Sequence, residues 1–203
     1  MIVIVDYGLG NLRSIYKSCK KYTKEVIISS SKDEILKSKK IILPGVGQFK
    51  TAMENLKSLD LIPTLNSHVS MNKPILGICL GMQIMTNFSE EGEVKGLGWV
   101  NANTKKFNVK MRIPQVGWNS VHVLKSNNLL DKKDLSKIRN EFFFVHSYHV
   151  ELVNLKDGLF ETTYSNKKFI SGFSSKNIYG VQFHPEKSYD VGEKLISNFI
   201  LDV

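Results

Sequence analysis

The chain has 203 residues, of which 42% are hydrophobic, and this is enough to bury one good core. We therefore expect a single domain over residues 1–203. The net charge of +9 comes from scattered lysine pairs without interleaved aromatic residues, which argues against a nucleic-acid interface. No apolar run approaches the roughly 20 residues of a membrane span, and Met1 to Asp6 lacks the basic segment of a secretion signal. These features predict a cytoplasmic protein without a membrane partner.

Short apolar runs alternate with amphipathic stretches in the first half of the chain. Strands are predicted at residues 2–5, 25–28 and 41–43, helices at 11–22 and 32–37, and a helical region at 51–70 leads into a further strand. This order predicts a parallel sheet with helices on both faces. In sheets of this kind the active site gathers beyond the carboxyl ends of the strands.

The loop Gly8-Leu9-Gly10-Asn11 follows the first strand and opens a helix, as a dinucleotide-binding loop does. The rest of that motif is absent, because Arg13 stands at the third glycine position and no acidic residue ends the second strand. We therefore expect no dinucleotide and no other cofactor.

The stretch from Pro74 to Gln83 has the pattern of a nucleophile elbow. A short apolar run ends at Cys79, residues 80–88 have the composition of a helix, and Gly77 and Gly81 allow a tight turn between them. The start of a helix favours a thiolate and, later, an oxyanion. A buried structural cysteine is the alternative. The other cysteine, Cys19, lies in a lysine-rich helical stretch and is expected to have no role, so no disulfide is predicted.

A partner for this cysteine lies near the C-terminus, where a strand-like run ends in His184-Pro185-Glu186. A thiol needs a base to become a thiolate at neutral pH, and an imidazole needs a third group to fix its tautomer and carry its charge. Cys79, His184 and Glu186 supply these three groups.

The segment between the two motifs, residues 94–173, changes to short β runs. They lie at residues 98–102, 105–110, 117–124, 141–145, 148–153, 160–164 and 169–173, with a surface excursion and a short helix at 127–140. We expect mixed or antiparallel strands beside the first sheet. His146 and His149 raise the possibility of a metal site, but no further ligand lies near them in sequence, so none is predicted.

Six short blocks together resemble the class I (triad) glutamine amidotransferases, and most closely the glutaminase subunits of imidazole glycerol phosphate synthases. The blocks are D-Y-G-L-G-N from Asp6, P-G-V-G from Pro44, G-I-C-L-G-M-Q from Gly77, V-G-W-N from Val116, F-V-H-S-Y from Phe144 and G-V-Q-F-H-P-E-K-S from Gly180. The resemblance implies an α/β fold with an open, mostly parallel sheet, flanking helices and an added mixed or antiparallel β region. It also implies hydrolysis of glutamine and delivery of ammonia to a (β/α)8-barrel synthase subunit in a heterodimer.

The resemblance assigns further residues to roles. The Val46 peptide, once turned to donate, and the Leu80 N–H would hold the oxyanion, while glutamine would be bound by Gly47, Gln83, Ser147 and Tyr148. The partner subunit would face Asn11, Trp118 and Lys187. The alternative for Trp118 is a core aromatic and for Lys187 a solvated charge.

One position departs from the subfamily pattern, because Gln115 stands where a histidine is usual before V-G-W-N. This leaves the identity of the synthase open. A glutaminase serving another synthase, for example one that modifies a surface-polysaccharide sugar, is the first alternative. A catalytically idle interaction subunit and a cysteine hydrolase acting on another amide are the others.

Overall fold

The computed structural model describes all residues from 1 to 203. It contains seven α-helices, namely α1 (Leu12–Lys20), α2 (Lys32–Lys37), α3 (Phe49–Ser58), α4 (Ile62–Ser70), α5 (Leu80–Gln83), α6 (Lys132–Leu135) and α7 (Tyr189–Leu201). None of them combines the length and the hydrophobicity needed to cross a lipid bilayer. Single 3₁₀ turns lie at Leu155–Asp157 and Pro185–Lys187.

There are fourteen strands. They are β1 (Ile2–Val5), β2 (Val26–Ser29), β3 (Lys40–Leu43), β4 (Ile75–Ile78), β5 (Phe88–Ser89), β6 (Val94–Lys95), β7 (Ala102–Lys106), β8 (Gln115–Asn119), β9 (His122–Val123), β10 (Phe142–His146), β11 (Tyr148–Leu152), β12 (Gly158–Tyr164), β13 (Lys167–Ser175) and β14 (Ile178–Val181).

Five strands form the parallel half of a 12-stranded sheet, in the order β2-β1-β3-β4-β14. The last pair has Ile78 opposite Val181, so β4 and β14 end at the same level. The residues that follow the two strands therefore meet beyond one edge of the sheet. This register brings the elbow and the His-Pro-Glu motif together.

Alternation along the parallel strands builds a core on each face of the sheet. Ile2 and Ile4 of β1 point into one core together with apolar residues of α1 and α7. Val3 and Val5 point into the other, against α2, α3 and α4. A strand covered on both faces buries every side chain, which is why these segments read as continuous apolar runs.

The rest of the sheet is largely antiparallel. From β14 it continues through β13, β11, β7, β5 and β6, with β12 and β9 attached to β13, and β8 and β10 form a separate antiparallel ribbon. The predicted fold class is confirmed, since a parallel sheet with flanking helices is extended by an added antiparallel region.

Two predicted elements near the elbow are wrong. Helix α5 ends at Gln83 and does not continue to Phe88, and residues 98–101 form no strand, since β7 begins only at Ala102. After Gln83 the turn tightens, because the N–H groups of Met85 and Thr86 bond carbonyls three residues back, at 3.3 and 3.1 Å. The N–H groups of Leu97 and Trp99 then bond the carbonyls of Ile84 and Met85, at 2.8 and 2.9 Å, so this loop packs on the turn and does not pair as a strand.

Candidate active site

Cys79 lies at a strained turn between β4 and α5. Its φ of 54° and ψ of −110° place a non-glycine residue in the positive-φ region, while its N–H is held by the Val181 carbonyl at 2.8 Å. A Cβ added at Gly81 would lie 1.9 Å from the Leu43 carbonyl oxygen, and one at Gly77 would lie 2.6 Å from the Gly81 oxygen. The two glycines thus permit the close backbone approach that the elbow requires.

His184 and Glu186 lie beyond the end of β14, and their side chains are almost completely enclosed. The His184 Nδ1 is 2.9 Å from Glu186 Oε1, so the carboxylate fixes the imidazole as the Nδ1–H form. The other ring nitrogen, Nε2, has no hydrogen-bond partner. The main chain of His184 is itself held, because its N–H bonds the Phe143 carbonyl at 2.9 Å.

The charge on His184 depends on both neighbours. Burial disfavours the imidazolium, but the Cys79 sulfur and then the Glu186 carboxylate outweigh it and raise the pKa of His184 to about 10. His184 therefore carries its proton at neutral pH, beside the Cys79 sulfur. Such a pair suits nucleophilic attack on a carbonyl carbon followed by proton delivery to the leaving group.

A cavity of about 230 Å³ opens over this pair. Six residues that the sequence placed in the oxyanion and substrate sites line it together with the cysteine and histidine, namely Val46, Gly47, Leu80, Gln83, Ser147 and Tyr148. The Leu80 N–H is the first of α5 and has no partner within the helix, which leaves it free for an anion.

The loop that carries Val46 rests on a buried tyrosine. Tyr7, fully enclosed after β1, donates its hydroxyl hydrogen to the Pro44 carbonyl at 2.5 Å. Burial and the neighbouring Cys79 sulfur raise the pKa of Tyr7, so it stays a neutral donor. Gly47 follows with a φ of 128°, a conformation in which other residues are strained. The segment Pro44–Gly47 is thus anchored at one end and left exposed at Val46.

Besides His146, which also lines the cavity, two further polar side chains reach the site and were missed by the sequence analysis. Glu91 lines the cavity, and its Oε2 accepts a hydrogen bond from the N–H of Phe49 at the start of α3, at 2.9 Å. Gln182 is fully buried, and its Nε2 lies 3.6 Å from the Cys79 sulfur. Its spacing of two residues from His184 in a strand-like sequence run was a usable signal, because such a spacing predicts both side chains on one face. No such signal marks Glu91.

His146 and His149, considered above for a metal site, lie in an aromatic cluster around Phe107 and Phe169. His146 Nδ1 bonds the Tyr148 carbonyl at 2.7 Å, whereas both nitrogens of His149 are buried without a partner. Burial lowers the pKa of His146 to about 3 and that of His149 to about 4. No group of three or more histidine, cysteine or acidic side chains converges to hold a metal ion.

The residues assigned to the partner face do not line the cavity. Trp118 is 42% exposed, stacks on Tyr189 with ring centroids 4.9 Å apart and meets Phe143 edge-on, so its alternative as a core aromatic is wrong. The Lys187 ammonium lies 5.5 Å from the centre of the Phe143 ring. Asn11 precedes α1 and makes no capping hydrogen bond with its side chain.

Gln115 is buried at 3% exposure, and its Oε1 has no hydrogen-bond partner. It is paired with His146 across the β8–β10 ribbon, while the next residue, Val116, is 62% exposed. The departure from the subfamily pattern therefore lies inside the fold and not on its surface.

The family model for class I glutamine amidotransferases matches residues 3–203, almost the whole chain. The chain belongs to this family. The class I glutamine amidotransferases are enzymes, and this member has a cysteine and a histidine at one cavity, with the Glu186 carboxylate hydrogen-bonded to the histidine.

Among individual relatives, this amidotransferase is 50% identical over 204 residues to imidazole glycerol phosphate synthase subunit HisH 2 of Methanococcus maripaludis, covering 98% of both chains. It is 45% identical over 201 residues to subunit HisH of Methanocaldococcus jannaschii, again covering 98% of each. The resemblance to that subunit is confirmed.

Solved structures share the fold at lower identity. PurLQS from Thermotoga maritima superposes with a TM-score of 0.72 at 16% identity, covering 98% of this amidotransferase and 96% of that chain. The glutaminase domain of Trypanosoma brucei CTPS with bound acivicin gives a TM-score of 0.68 at 17% identity, covering 98% and 91%.

Proposed function

We infer that the chain is the glutaminase subunit of an imidazole glycerol phosphate synthase. It hydrolyses glutamine to glutamate and ammonia and passes the ammonia to a (β/α)8-barrel synthase subunit, which makes imidazole glycerol phosphate and aminoimidazole carboxamide ribotide in histidine biosynthesis. The observation that carries the chemistry is Cys79 at a strained elbow beside a histidine held 2.9 Å from a carboxylate. The assignment to imidazole glycerol phosphate synthase, and not to another synthase, is supported by the relatives named above.

In the first half of the reaction the Cys79 thiolate attacks the carboxamide carbon of glutamine. The carbonyl oxygen becomes an oxyanion, which the Leu80 N–H and the Val46 peptide hold. In other enzymes each such donor contributes roughly 3–4 kcal/mol to the transition state. His184 gives its proton to the leaving nitrogen, the C–N bond breaks, and ammonia departs from a glutamyl thioester on Cys79.

In the second half His184, now neutral, takes a proton from water, which attacks the thioester carbon. The C–S bond breaks and glutamate leaves, while the proton remains on the imidazole beside the regenerated thiolate. Glu186 keeps the imidazole oriented and balances its charge throughout.

Glutamine is held by the residues around the cavity. Gly47 and Gln83, which line the cavity with the cysteine, and Ser147 and Tyr148 from the β10–β11 connection contact its α-amino, α-carboxylate and amide groups. Glu91 provides the negative charge that an α-ammonium group requires, since its carboxylate lines the same cavity.

The partner docks on Asn11, Trp118 and Lys187, outside the lining of this cavity. The support is that Trp118 and Lys187 meet on Phe143, whose carbonyl holds the main chain of His184 at 2.9 Å. A barrel subunit seated there lies one backbone hydrogen bond from the catalytic base.

The test is co-expression with the barrel subunit from the same source, followed by assays of glutaminase activity and of product formation from glutamine. Wild-type complex that releases glutamate and forms imidazole glycerol phosphate supports the proposal, and Cys79→Ala must abolish the glutamine-dependent reaction. Glutamate release without that product, or activity only with another synthase, would assign the chain to a different ammonia-using enzyme.

A further inference from the structure

A chain of side-chain amides leads from the pocket wall to the reactive sulfur. Gln83 Nε2 lies 3.0 Å from the Tyr148 carbonyl oxygen and 3.0 Å from Gln182 Oε1, and Gln182 Nε2 lies 3.6 Å from the Cys79 sulfur. Gln83 and Gln182 are 4% and 0% exposed, so water does not compete for these bonds.

The direction of this chain is set by its far end. The oxygen and nitrogen of an amide side chain are assigned from their partners, and a backbone carbonyl is only an acceptor. Gln83 must therefore turn its NH₂ toward the Tyr148 carbonyl, and the same NH₂ faces Gln182. Gln182 then presents its oxygen to Gln83 and its NH₂ to the sulfur of Cys79.

The backbone holds Gln182 in place for this contact. Its N–H bonds the Ser171 carbonyl at 2.9 Å, and the carbonyl of the preceding residue, Val181, bonds the Cys79 N–H at 2.8 Å. The side chain thus stands on the same backbone that fixes the elbow. Two residues on, His184 reaches the site from the same face.

We propose that Gln182 is a further catalytic residue, whose side-chain N–H holds the Cys79 sulfur in position and stabilises its thiolate. This inference rests on the proposed function for its catalytic consequence, but the state of the sulfur is measurable without glutamine or a partner. A neutral donor stabilises an anion without adding a second charge to a buried site.

The opposing contact explains why a donor is needed. The sulfur lies 3.9 Å from the Val145 carbonyl oxygen, which accepts from the neutral thiol and so favours it over the thiolate. Gln182 favours the charged form on the other side. Without the N–H of Gln182, the Val145 carbonyl remains as a hydrogen-bond partner of the sulfur, and the neutral thiol is favoured over the thiolate.

The sulfur has several titratable neighbours, and the test must separate Gln182 from them. They are His184 and Glu186 after β14, Tyr7 after β1, His146 and Tyr148 at the β10–β11 connection, and Glu91 across the cavity. A substitution at Gln182 leaves the residue type at each of these positions unchanged.

The experiment measures the rate at which iodoacetamide alkylates Cys79 in the full chain as a function of pH, with the labelled peptide quantified by mass spectrometry. Cys19 is fully buried and burial raises its pKa to about 12, so it does not compete. Gln182→Met removes the amide at similar length, and Gln182→Asn keeps an amide that is too short to reach the sulfur.

In both variants we expect the pH dependence of the Cys79 alkylation rate to shift to higher pH by about one unit. At a pH well below the pKa of the thiol, this shift corresponds to an about tenfold lower fraction of thiolate and an about tenfold lower rate. The matched control is Thr162→Val, which removes a buried hydrogen bond to Ser171 of 2.8 Å in the same sheet without touching the sulfur. It must lower stability and leave the profile unchanged. A wild-type profile in either folded Gln182 variant overturns the proposal.

A second measurement does not depend on the folding of the variants. In the ¹⁵N-labelled wild-type chain, the side-chain amide resonance of Gln182 must shift as Cys79 ionises, because its N–H gains a charged acceptor, and the shift must vanish in Cys79→Ser. A Gln182 amide resonance that does not shift when Cys79 ionises overturns the proposal. Failure of the glutaminase assay in the wild-type complex would instead count against the proposed function and leave these titrations interpretable.

Discussion

Glu186 holds His184 through one hydrogen bond of 2.9 Å, while its second oxygen, Oε2, is buried without a partner. The imidazole is thus the only hydrogen-bond partner of this carboxylate side chain. In Glu186→Gln we expect kcat for glutamine hydrolysis by the complex to fall by about a hundredfold or more, because a neutral amide neither fixes the tautomer nor stabilises the imidazolium.

The matched control for this substitution is Glu161→Gln. Glu161 forms an ion pair of 2.9 Å with Lys168 at the surface, where such pairs contribute about 1 kcal/mol or less. Its kcat should equal that of the wild type. If Glu186→Gln also keeps the wild-type rate, another group performs the role assigned to the carboxylate.

The charge on the catalytic histidine should respond to the sulfur. Burial lowers the pKa of His184, and the Cys79 sulfur is the largest of the factors that raise it. We therefore expect Cys79→Ser to lower the pKa of His184, measured by NMR titration of its imidazole. Cys19→Ala should leave that titration unchanged, and an unaltered His184 in Cys79→Ser would mean that the thiolate–imidazolium pair does not form.

Acid should destabilise the fold through the aromatic cluster. An unfolded histidine binds a proton below about pH 6.5, whereas burial lowers the pKa of His149 to about 4 in the folded chain. Between these values the unfolded state holds more protons, so the free energy of unfolding falls as the pH is lowered, by about 1.4 kcal/mol per pH unit. His146, with a pKa of about 3, adds a similar dependence.

Replacing His149 tests this directly, because neither of its nitrogens has a hydrogen bond to lose. In His149→Phe we expect the dependence of unfolding free energy on pH, measured with urea between pH 4.5 and 6, to be shallower by about 1.4 kcal/mol per pH unit. His122→Phe, at an exposed position, serves as the control. Equal slopes for wild type and His149→Phe would contradict the expectation.

The sequence predicted the parallel half of the sheet and the cysteine, histidine and glutamate because their signals are local. A buried strand, a turn with two glycines and a helix start all lie between Pro74 and Gln83. The turn after α5 could not be predicted, since it is held by N–H groups of residues 97 and 99 that bond the carbonyls of Ile84 and Met85. Glu91 was missed for the same kind of reason: it reaches the cavity through a bond to Phe49, 42 residues away.

The close approach at the elbow should make Gly81 intolerant of any side chain. A Cβ there would lie 1.9 Å from the Leu43 carbonyl oxygen, which is main chain of the neighbouring strand and cannot rotate away. We expect Gly81→Ala to destabilise the chain by about 3 kcal/mol or more in urea unfolding.

Gly98→Ala is the matched control, because it adds the same atom where the nearest neighbour is a side-chain oxygen 3.8 Å away. Its φ of 68° costs only about 1–2 kcal/mol for a residue other than glycine. A loss in Gly81→Ala no larger than that in Gly98→Ala would show that the contact with β3 does not make glycine necessary at the elbow.

The exposed stack of Trp118 on Tyr189 should matter for activation more than for stability. Trp118 is 42% exposed and contacts Phe143, whose carbonyl bonds the N–H of His184. If the barrel subunit docks on this face, it acts on His184 through β10, the strand that contains Phe143. We expect the chain alone to be nearly silent as a glutaminase, because the exposed Val46 peptide is free to withhold its donor until docking.

In Trp118→Ala the activation by the partner, measured as the ratio of glutaminase rates with and without the barrel subunit, should fall at least tenfold while the melting temperature changes little. The chain offers one matched control: Trp99, the other tryptophan, donates its Nε1–H to Asn66 at 2.8 Å, away from the cavity. Trp99→Ala should keep the full activation ratio. A lone chain that already turns over at the rate of the complex would show that docking does not switch the site, even with the roles of Cys79 and His184 intact.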